Sequence, residues 1–166
     1  MSERTLVLDH EQVQRKLLRI AHQLHEEHHE EKAIILVGIA PRGTTIALRM
    51  GQLLETISDL NVRTAKLELN KDQPLEAPAK LSVDMRELKG RIVVLVDDVL
   101  MSGRTLMHAA GFLVQAAPKR LTTVVLVDRR HRSFPIRADI VGLTLSTTLQ
   151  EHISVELGKK DAVYLR

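Results

Sequence analysis

Two adjacent carboxylates, Asp97 and Asp98, stand shortly before Met101-Ser102-Gly103-Arg104-Thr105, and this is the stretch best supplied for chemistry. A carboxylate pair can serve as acid and base, as metal ligands, or as acceptors for a vicinal diol. Met101 to Thr105 offer backbone N–H groups, two hydroxyls and no bulk at Gly103. That composition suits a phosphate monoester at a helix N-terminus. Diol acceptors and a phosphate cradle at this spacing fit a sugar phosphate. Neither a G-x-x-x-x-G-K-[ST] loop nor a G-x-G-x-x-G fingerprint is present, so triphosphate and dinucleotide loops are excluded. Cations come from Arg42, beside Gly43, and from Asp128-Arg129-Arg130-His131-Arg132 with Arg137 beyond. Arginines clustered at the end of a strand suit phosphate. His25-Glu26-Glu27-His28-His29 matches H-E-x-x-H, but it lies among Glu30, Glu31 and Lys32 with no third ligand in the expected extension. It is read as a solvated helix face.

These groups can meet only if regular elements carry them to one edge. Ile92–Val96 is a continuous apolar run rich in β-branched residues, a strand buried on both faces. Helical spacing resumes from Leu106 to Val114. Ligands of open parallel sheets bind beyond the carboxyl ends of the strands. Neighbouring strand residues point to opposite faces, so both carboxylates can serve one ligand only if the strand ends before them. The turn signal at Ser102-Gly103 predicts that it does. Ala33–Ile39 repeats the pattern, with a Gly-containing turn and a helix over Thr44–Ile57, which puts Arg42 at the same edge. Leu121–Val127 is a third buried strand, opening after Pro118 stops the preceding helix. Asp9 and Gln12 form a capping-box pattern ahead of a helix carrying Val13, Leu17, Ile20 and Leu24, expected to run to about Glu30. Val62–Leu69 alternates as a half-buried strand. Asn70–Lys89 has no period, and reads as a lid or a surface hairpin. Short strand-like pieces at Ile140–Gly142, Ile153–Leu157 and Val163–Leu165 suit an edge or cap. Ala40–Pro41 is a place where a cis bond costs little. The β-α-β-α order predicts an α/β protein: an open parallel sheet with helices on both faces.

The 166 residues suffice for one domain with a sizeable core. Phe112, Phe134 and Tyr164 are the only aromatic residues, so the core is aliphatic and base-stacking platforms are excluded. A net charge of +3 suits small anions and does not by itself argue for nucleic acid. With no Cys, disulfides, thiol catalysis and Cys-ligated zinc are excluded. No signal-peptide core precedes the first helix and no apolar run could span a bilayer, so a cytoplasmic protein away from membranes is expected.

Val93 to Thr105 closely resembles the 5-phosphoribosyl-1-diphosphate (PRPP) signature of type I phosphoribosyltransferases. More narrowly, nearly the whole chain resembles the bifunctional pyrimidine-operon attenuator and uracil phosphoribosyltransferase family. Arg19-Ile20-Ala21-His22, Leu36 to Gly43, and Val125 to Arg132 with Pro135 to Asp139 carry that narrower likeness. The resemblance implies the type I phosphoribosyltransferase fold as a single domain over 1–166, with a small hood formed by about 128–166 and the N-terminal segment. It implies transfer of the phosphoribosyl group from PRPP to uracil, with Mg2+ as cofactor. Asp97 and Asp98 would hold the ribose hydroxyls, partly through Mg2+, and Met101, Ser102, Gly103, Arg104 and Thr105 the 5′-phosphate. Arg42 and Gly43 would face pyrophosphate, making Arg42, Asp97 and Asp98 the catalytic set. Val127, Asp128, Arg129 and Arg137 would line the hood over the base. Arg19, His22, His131 and Arg132 would be the RNA contacts, and a homodimer or homotetramer is implied. Two alternatives stay open: an RNA-binding attenuator that senses UMP or PRPP, and a phosphoribosyltransferase for another base such as a purine. The family's mobile loop carries a Tyr-Arg-Asp-Asp-type sequence, where this chain has Leu67 to Pro74, leaving Lys71 and Lys80 as basic substitutes. Glu26, Glu27, Glu30 and Glu31 repel a phosphate backbone, which favours the enzyme over the attenuator.

Overall fold

The computed structural model describes residues 3–148 and 150–166. In chain order it contains β1 (Thr5–Leu8), α1 (His10–Glu27), β2 (Ala33–Ile39), α2 (Arg42–Ile57), β3 (Asn61–Glu68) and β4 (Lys80–Leu81). A 3-10 turn (Met85–Leu88), β5 (Ile92–Leu100), α3 (Arg104–Val114), β6 (Arg120–Asp128), β7 (Ile140–Thr144), β8 (Ile153–Glu156) and β9 (Ala162–Leu165) follow.

Strand alternation sorts the core to two sides of one sheet. Ile34, Leu36, Val94, Val96, Val124 and Leu126 pack with Val13, Leu17 and Ile20 of α1 and Ile46, Met50 and Leu54 of α2. Ile35, Val37, Val93, Leu95 and Val125 face Leu106, Ala109 and Leu113 of α3. Both faces being covered is why these strands read as unbroken apolar runs. The sheet has six strands in the order β4-β3-β2-β5-β6-β7. The run from β3 to β7 is parallel, while β4 pairs antiparallel with β3, so the predicted parallel sheet is mixed at one edge. A separate antiparallel sheet, β1-β9-β8, joins the two ends of the chain. Asp161 ties that sheet to the helices. Its buried carboxylate accepts from the Arg49 guanidinium, from Gln14 Nε2 (2.5 Å) and from the Gly158 N–H (2.9 Å). Burial raises its pKa, but those donors outweigh burial and hold it below the usual range.

Asp9 and Gln12 form the capping box reciprocally, at 2.8 and 2.9 Å. Two readings of α1 differ from the structure. The helix ends at Glu27 rather than near Glu30, and His28 is not on a solvated face: it is 2% exposed, with no partner for Nε2. Burial, and then Arg120, lower its pKa. Among the described residues no cluster of three or more His, Cys, Asp or Glu could hold a metal ion, so the H-E-x-x-H match has no third ligand in space either. Nor, among them, is any helix long and apolar enough to cross a membrane. The Ala40–Pro41 bond is cis. The stretch 70–89 is a short return strand and a 3-10 turn carried beside β3.

Candidate functional site

At the carboxyl ends of the parallel strands lies a cleft of about 610 Å3. Arg42, Lys71, Asp72, Asp97, Asp98, Val125 and Ile153 line it, together with the continuous stretch Val99 to Leu106.

The carboxylates reach it by a route that differs from expectation. β5 does not end before them but runs through to Leu100. Its pairing with β2 stops at Gly38 and Val96, whereas its pairing with β6 continues to Leu100 and Asp128. Asp97 and Asp98 therefore sit on a strand that has lost one neighbour, and that open edge admits both side chains to the cleft. They are 3% and 6% exposed. Arg42 Nε donates to Asp98 Oδ2 at 2.8 Å. Lys71 Nζ lies 3.5 Å from Asp97 Oδ1, which also accepts the Asp98 N–H at 2.9 Å. Gly43 makes the first approach possible: a Cβ there would lie 2.5 Å from the Val96 carbonyl oxygen. Only glycine lets the first turn of α2 press so closely on β5, and that contact sets Arg42 against Asp98.

Burial, then the neighbouring charge of Asp98, raises the Asp97 pKa to about 8, against the pull of Lys71. Burial acts on Asp98 in the same direction. The hydrogen bond from Asp97, the charge of Lys71, the Arg42 guanidinium and the Val99 N–H outweigh it and hold Asp98 below the usual carboxylate range. Two carboxyls this close favour sharing a proton, and the Arg42 guanidinium and the Val99 N–H favour the ionised form of Asp98. The oxygens suit Mg2+, which takes one or two carboxylates and completes its shell from substrate and water.

At the other end of the cleft Met101 to Gly103 turn the chain from β5 into α3. Gly103 adopts φ +89°, and a Cβ there would meet Ile136 Cγ2 at 2.8 Å. Arg104 N donates to Ser102 Oγ at 3.2 Å, and Gly103 offers no side-chain cap, so α3 opens on the cleft with first-turn amides that an anion can take. The Ser133 and Phe134 N–H groups both donate to the Ser102 carbonyl, at 2.8 and 3.0 Å. Arg104 Nη1 reaches the Asp72 carbonyl at 3.3 Å, which lays the 70–79 excursion across the mouth.

Other predicted residues are placed elsewhere. Val127 is buried beneath the site, and Gly43 packs behind it. The buried Arg129 donates to Thr147 Oγ1 (2.7 Å) and the Thr148 carbonyl (2.9 Å), away from any base position in the cleft. Asp128, Arg130, Arg132 and Arg137 border a second groove of about 420 Å3. Arg19 does not extend freely from α1: it donates to the Val141 and Gly142 carbonyls of edge strand β7, at 2.9 and 2.7 Å. His131 bonds the Thr147 carbonyl, Arg132 turns inward, and His22 is exposed. Lys80 lies on β4, while Lys71 reaches the carboxylates. Asp72 and Ile153 line the cleft with no sequence signal for it, because neither an aperiodic loop nor a distant strand carries a spacing that points to β5.

A family model described as the phosphoribosyl transferase domain matches residues 4–158. A bifunctional protein PyrR of Alkaliphilus metalliredigens is 39% identical, over 99% of this chain and 96% of its own length. The protein of the same name from Bacillus subtilis is 35% identical, over 97% and 94%. Among solved structures, a hypoxanthine-guanine phosphoribosyltransferase of Bacillus anthracis superposes with a TM-score of 0.70 at 22% identity, over 86% of this chain and 83% of that one. The hypoxanthine phosphoribosyltransferase of Trypanosoma cruzi gives 0.72 at 18%, over 85% and 81%.

Proposed function

The chain belongs to the phosphoribosyl transferase domain family, in its bifunctional pyrimidine-operon attenuator and uracil phosphoribosyltransferase branch, and on that premise we propose that it moves the 5-phosphoribosyl group from PRPP to uracil. The bond from C1 of the ribose to pyrophosphate breaks, the bond from C1 to a uracil ring nitrogen forms as that nitrogen gives up its proton to the departing pyrophosphate or to water, and UMP and pyrophosphate leave. The observation that carries this reading is the single cleft holding a carboxylate pair at one end and a glycine-turned helix N-terminus at the other.

Asp97 and Asp98 hold the ribose hydroxyls, the protonated carboxyl donating and the ionised one accepting. Met101 to Thr105 take the 5′-phosphate. The transition state is oxocarbenium-like: the ribose ring gains positive charge while the leaving pyrophosphate gains negative charge. Asp98 stands by the first, and Arg42, set in place by the close approach of Gly43 to β5, faces the second. Mg2+, when bound at the pair, supplies further positive charge to the leaving group. The predicted base side is supported from outside the cleft: Val127 is buried beneath it, Arg129 holds the loop beyond β7, and Asp128 and Arg137 border a separate groove. The work is positioning and electrostatics, with no covalent intermediate required.

Turnover measured with PRPP, Mg2+ and uracil, hypoxanthine, guanine or xanthine tests this. UMP formation from uracil, lost in the Asp97→Asn/Asp98→Asn double variant, is the expected result. Turnover of a purine alone moves the assignment to another base. No turnover, with UMP-dependent and salt-sensitive binding to RNA, establishes the attenuator, which the relatives' description as bifunctional favours as a second reading.

A further inference from the structure

The guanidinium of Arg132 joins three pieces of chain that the proposed reaction uses separately. Nη1 donates to the Met101 carbonyl at 2.7 Å, at the start of the phosphate loop. Nη2 donates to Asp128 Oδ1 at 2.5 Å, at the end of β6. Nε donates to the Ile136 carbonyl at 3.0 Å, on the segment that returns toward β7. The side chain is only 23% exposed. Around it the same two loops are laced by backbone: Ser133 and Phe134 both donate to Ser102, and Gly103 has no room for a Cβ because Ile136 is there.

A planar fork with donors in fixed directions is what such a junction needs. Lysine carries the charge but cannot present donors to three acceptors in this geometry. Removing the fork takes a donor from the Met101 and Ile136 carbonyls and leaves Asp128 Oδ1 with the Arg130 N–H alone, so the link between the two loops loses its side-chain part.

We infer that Arg132 is a positioning residue that makes the phosphate loop and the base-side hood segment one mechanical body, so that the base and the 5′-phosphate bind cooperatively. This rests on the function proposed above. An ordered 128–136 segment fixes Met101 and Ser102, and a phosphate on the loop in turn fixes the segment. Two ligands that order the same body each reduce the ordering cost left for the other, and the coupling is reciprocal. Arg42, Asp97 and Asp98 lie outside the junction, so pyrophosphate does not share in it.

Calorimetric titration of the full chain tests this, with ribose 5-phosphate, uracil and pyrophosphate as probes, each alone and the first two in the presence of one another. In the wild type, uracil and ribose 5-phosphate are expected to raise each other's affinity by the same factor, about 5-fold or more. Arg132→Gln is expected to bring that factor to one and to weaken ribose 5-phosphate about tenfold, while pyrophosphate affinity stays as in the wild type. Arg132→Lys is expected to behave like Arg132→Gln, because geometry rather than charge is at stake. Should Arg132→Gln fail to fold, Asp128→Asn removes one anchor of the fork, and a reduced but measurable coupling is expected. The inference is overturned by a wild type without coupling, by coupling that survives in Arg132→Gln, by rescue in Arg132→Lys, by parallel loss of pyrophosphate binding, or by Asp128→Asn retaining full coupling. A wild type that binds neither ribose 5-phosphate nor pyrophosphate instead rejects the phosphoribosyltransferase function, and the inference falls with it.

Discussion

The two ends of the cleft are held by different forces. The carboxylate end is assembled from side-chain charges on three separated pieces of chain: Arg42 opening α2, Lys71 in the excursion after β3, and Asp97 and Asp98 on β5. The other end, where the 5′-phosphate is proposed to bind, is built from one continuous turn, fixed by backbone donors to Ser102 and by a glycine in a left-handed conformation. Charges respond to pH, salt and single neutralisations, whereas a backbone cradle responds to steric change. Each end therefore has its own way of failing, and the contrast can be broken by experiments that strike one end and not the other.

The largest effect is expected from Asp98→Asn. It removes the carboxylate favoured in its ionised form and leaves Arg42 Nε with a neutral amide oxygen in place of its charged 2.8 Å partner. A loss of about 10²–10³ in kcat is expected, the cost of deleting one preorganised electrostatic contact. Asp97→Asn should cost less, because burial and the neighbouring charge of Asp98 already favour its protonated form. Steady-state kinetics of the two single variants decide this, and equal losses would show that the charge is shared evenly.

The same asymmetry predicts the pH dependence of stability without divalent cations. Asp97 ionises near pH 4 in the unfolded chain but near 8 in the folded one. Between those values the folded state holds the extra proton, so stability should fall as pH rises, by at most about 1.4 kcal/mol per pH unit. Asp98 contributes oppositely and lower on the scale: its stabilisation is present above pH 4 and lost as pH falls through its depressed folded value. Urea unfolding from pH 5 to 8 should show the decline in the wild type and a flatter profile in Asp97→Asn. An unchanged slope would place the raised carboxyl elsewhere.

At the phosphate end Gly103→Ala should cost about 1–2 kcal/mol, the penalty for a Cβ in a left-handed conformation, with a further cost if Ile136 cannot yield. Its thermal midpoint should fall with no change in salt dependence, and ribose 5-phosphate should lose affinity while pyrophosphate keeps it. Gly111→Ala, on the same helix with nothing within 4 Å, should instead be neutral or stabilising. If both substitutions behave alike, the Gly103 turn does not set the loop.

This division also governs what could be read from the residues alone. The proposed phosphate end is contiguous: strand, acidic pair, hydroxyls, glycine and helix follow in order from Ile92 to Val114, so local pattern was enough to predict the strand, turn and helix. The buried strands were legible for the same reason, since apolar runs covered on both faces leave a continuous signature. What stayed hidden depends on three dimensions. β5 continues through Asp97 and Asp98 because β6 still pairs with it after β2 has turned away, and nothing within residues 92–100 encodes where a neighbour stops. β1 is a strand because β9 lies beside it at the far end of the chain. Arg132 and Arg19 look like free surface cations, yet their guanidinium groups are spent on carbonyls of other segments.

Lys71 is where the smallest effect is expected, and where the contrast is sharpest. Its Nζ stands 3.5 Å from Asp97 with the side chain 39% exposed, so the pair is partly screened and worth less than about 1 kcal/mol. Yet it occupies the carboxylate that the proposed reaction gives to the ribose. Lysine at this position therefore acts in two directions: it steadies the pair before substrate arrives, and it must leave for the sugar or Mg2+ to enter. Lys71→Met should lower stability by no more than that small amount. It should also raise the Asp97 pKa further, since the opposing charge is gone, and so extend the fall in stability to higher pH. Binding of Mn2+ as a probe for the divalent site should tighten a few-fold at low salt, with the difference fading as salt screens the wild-type contact. Weaker Mn2+ binding in Lys71→Met would mean that the excursion helps to build the carboxylate end rather than competing for it, and the two ends of the cleft would then be more alike than their bonding suggests.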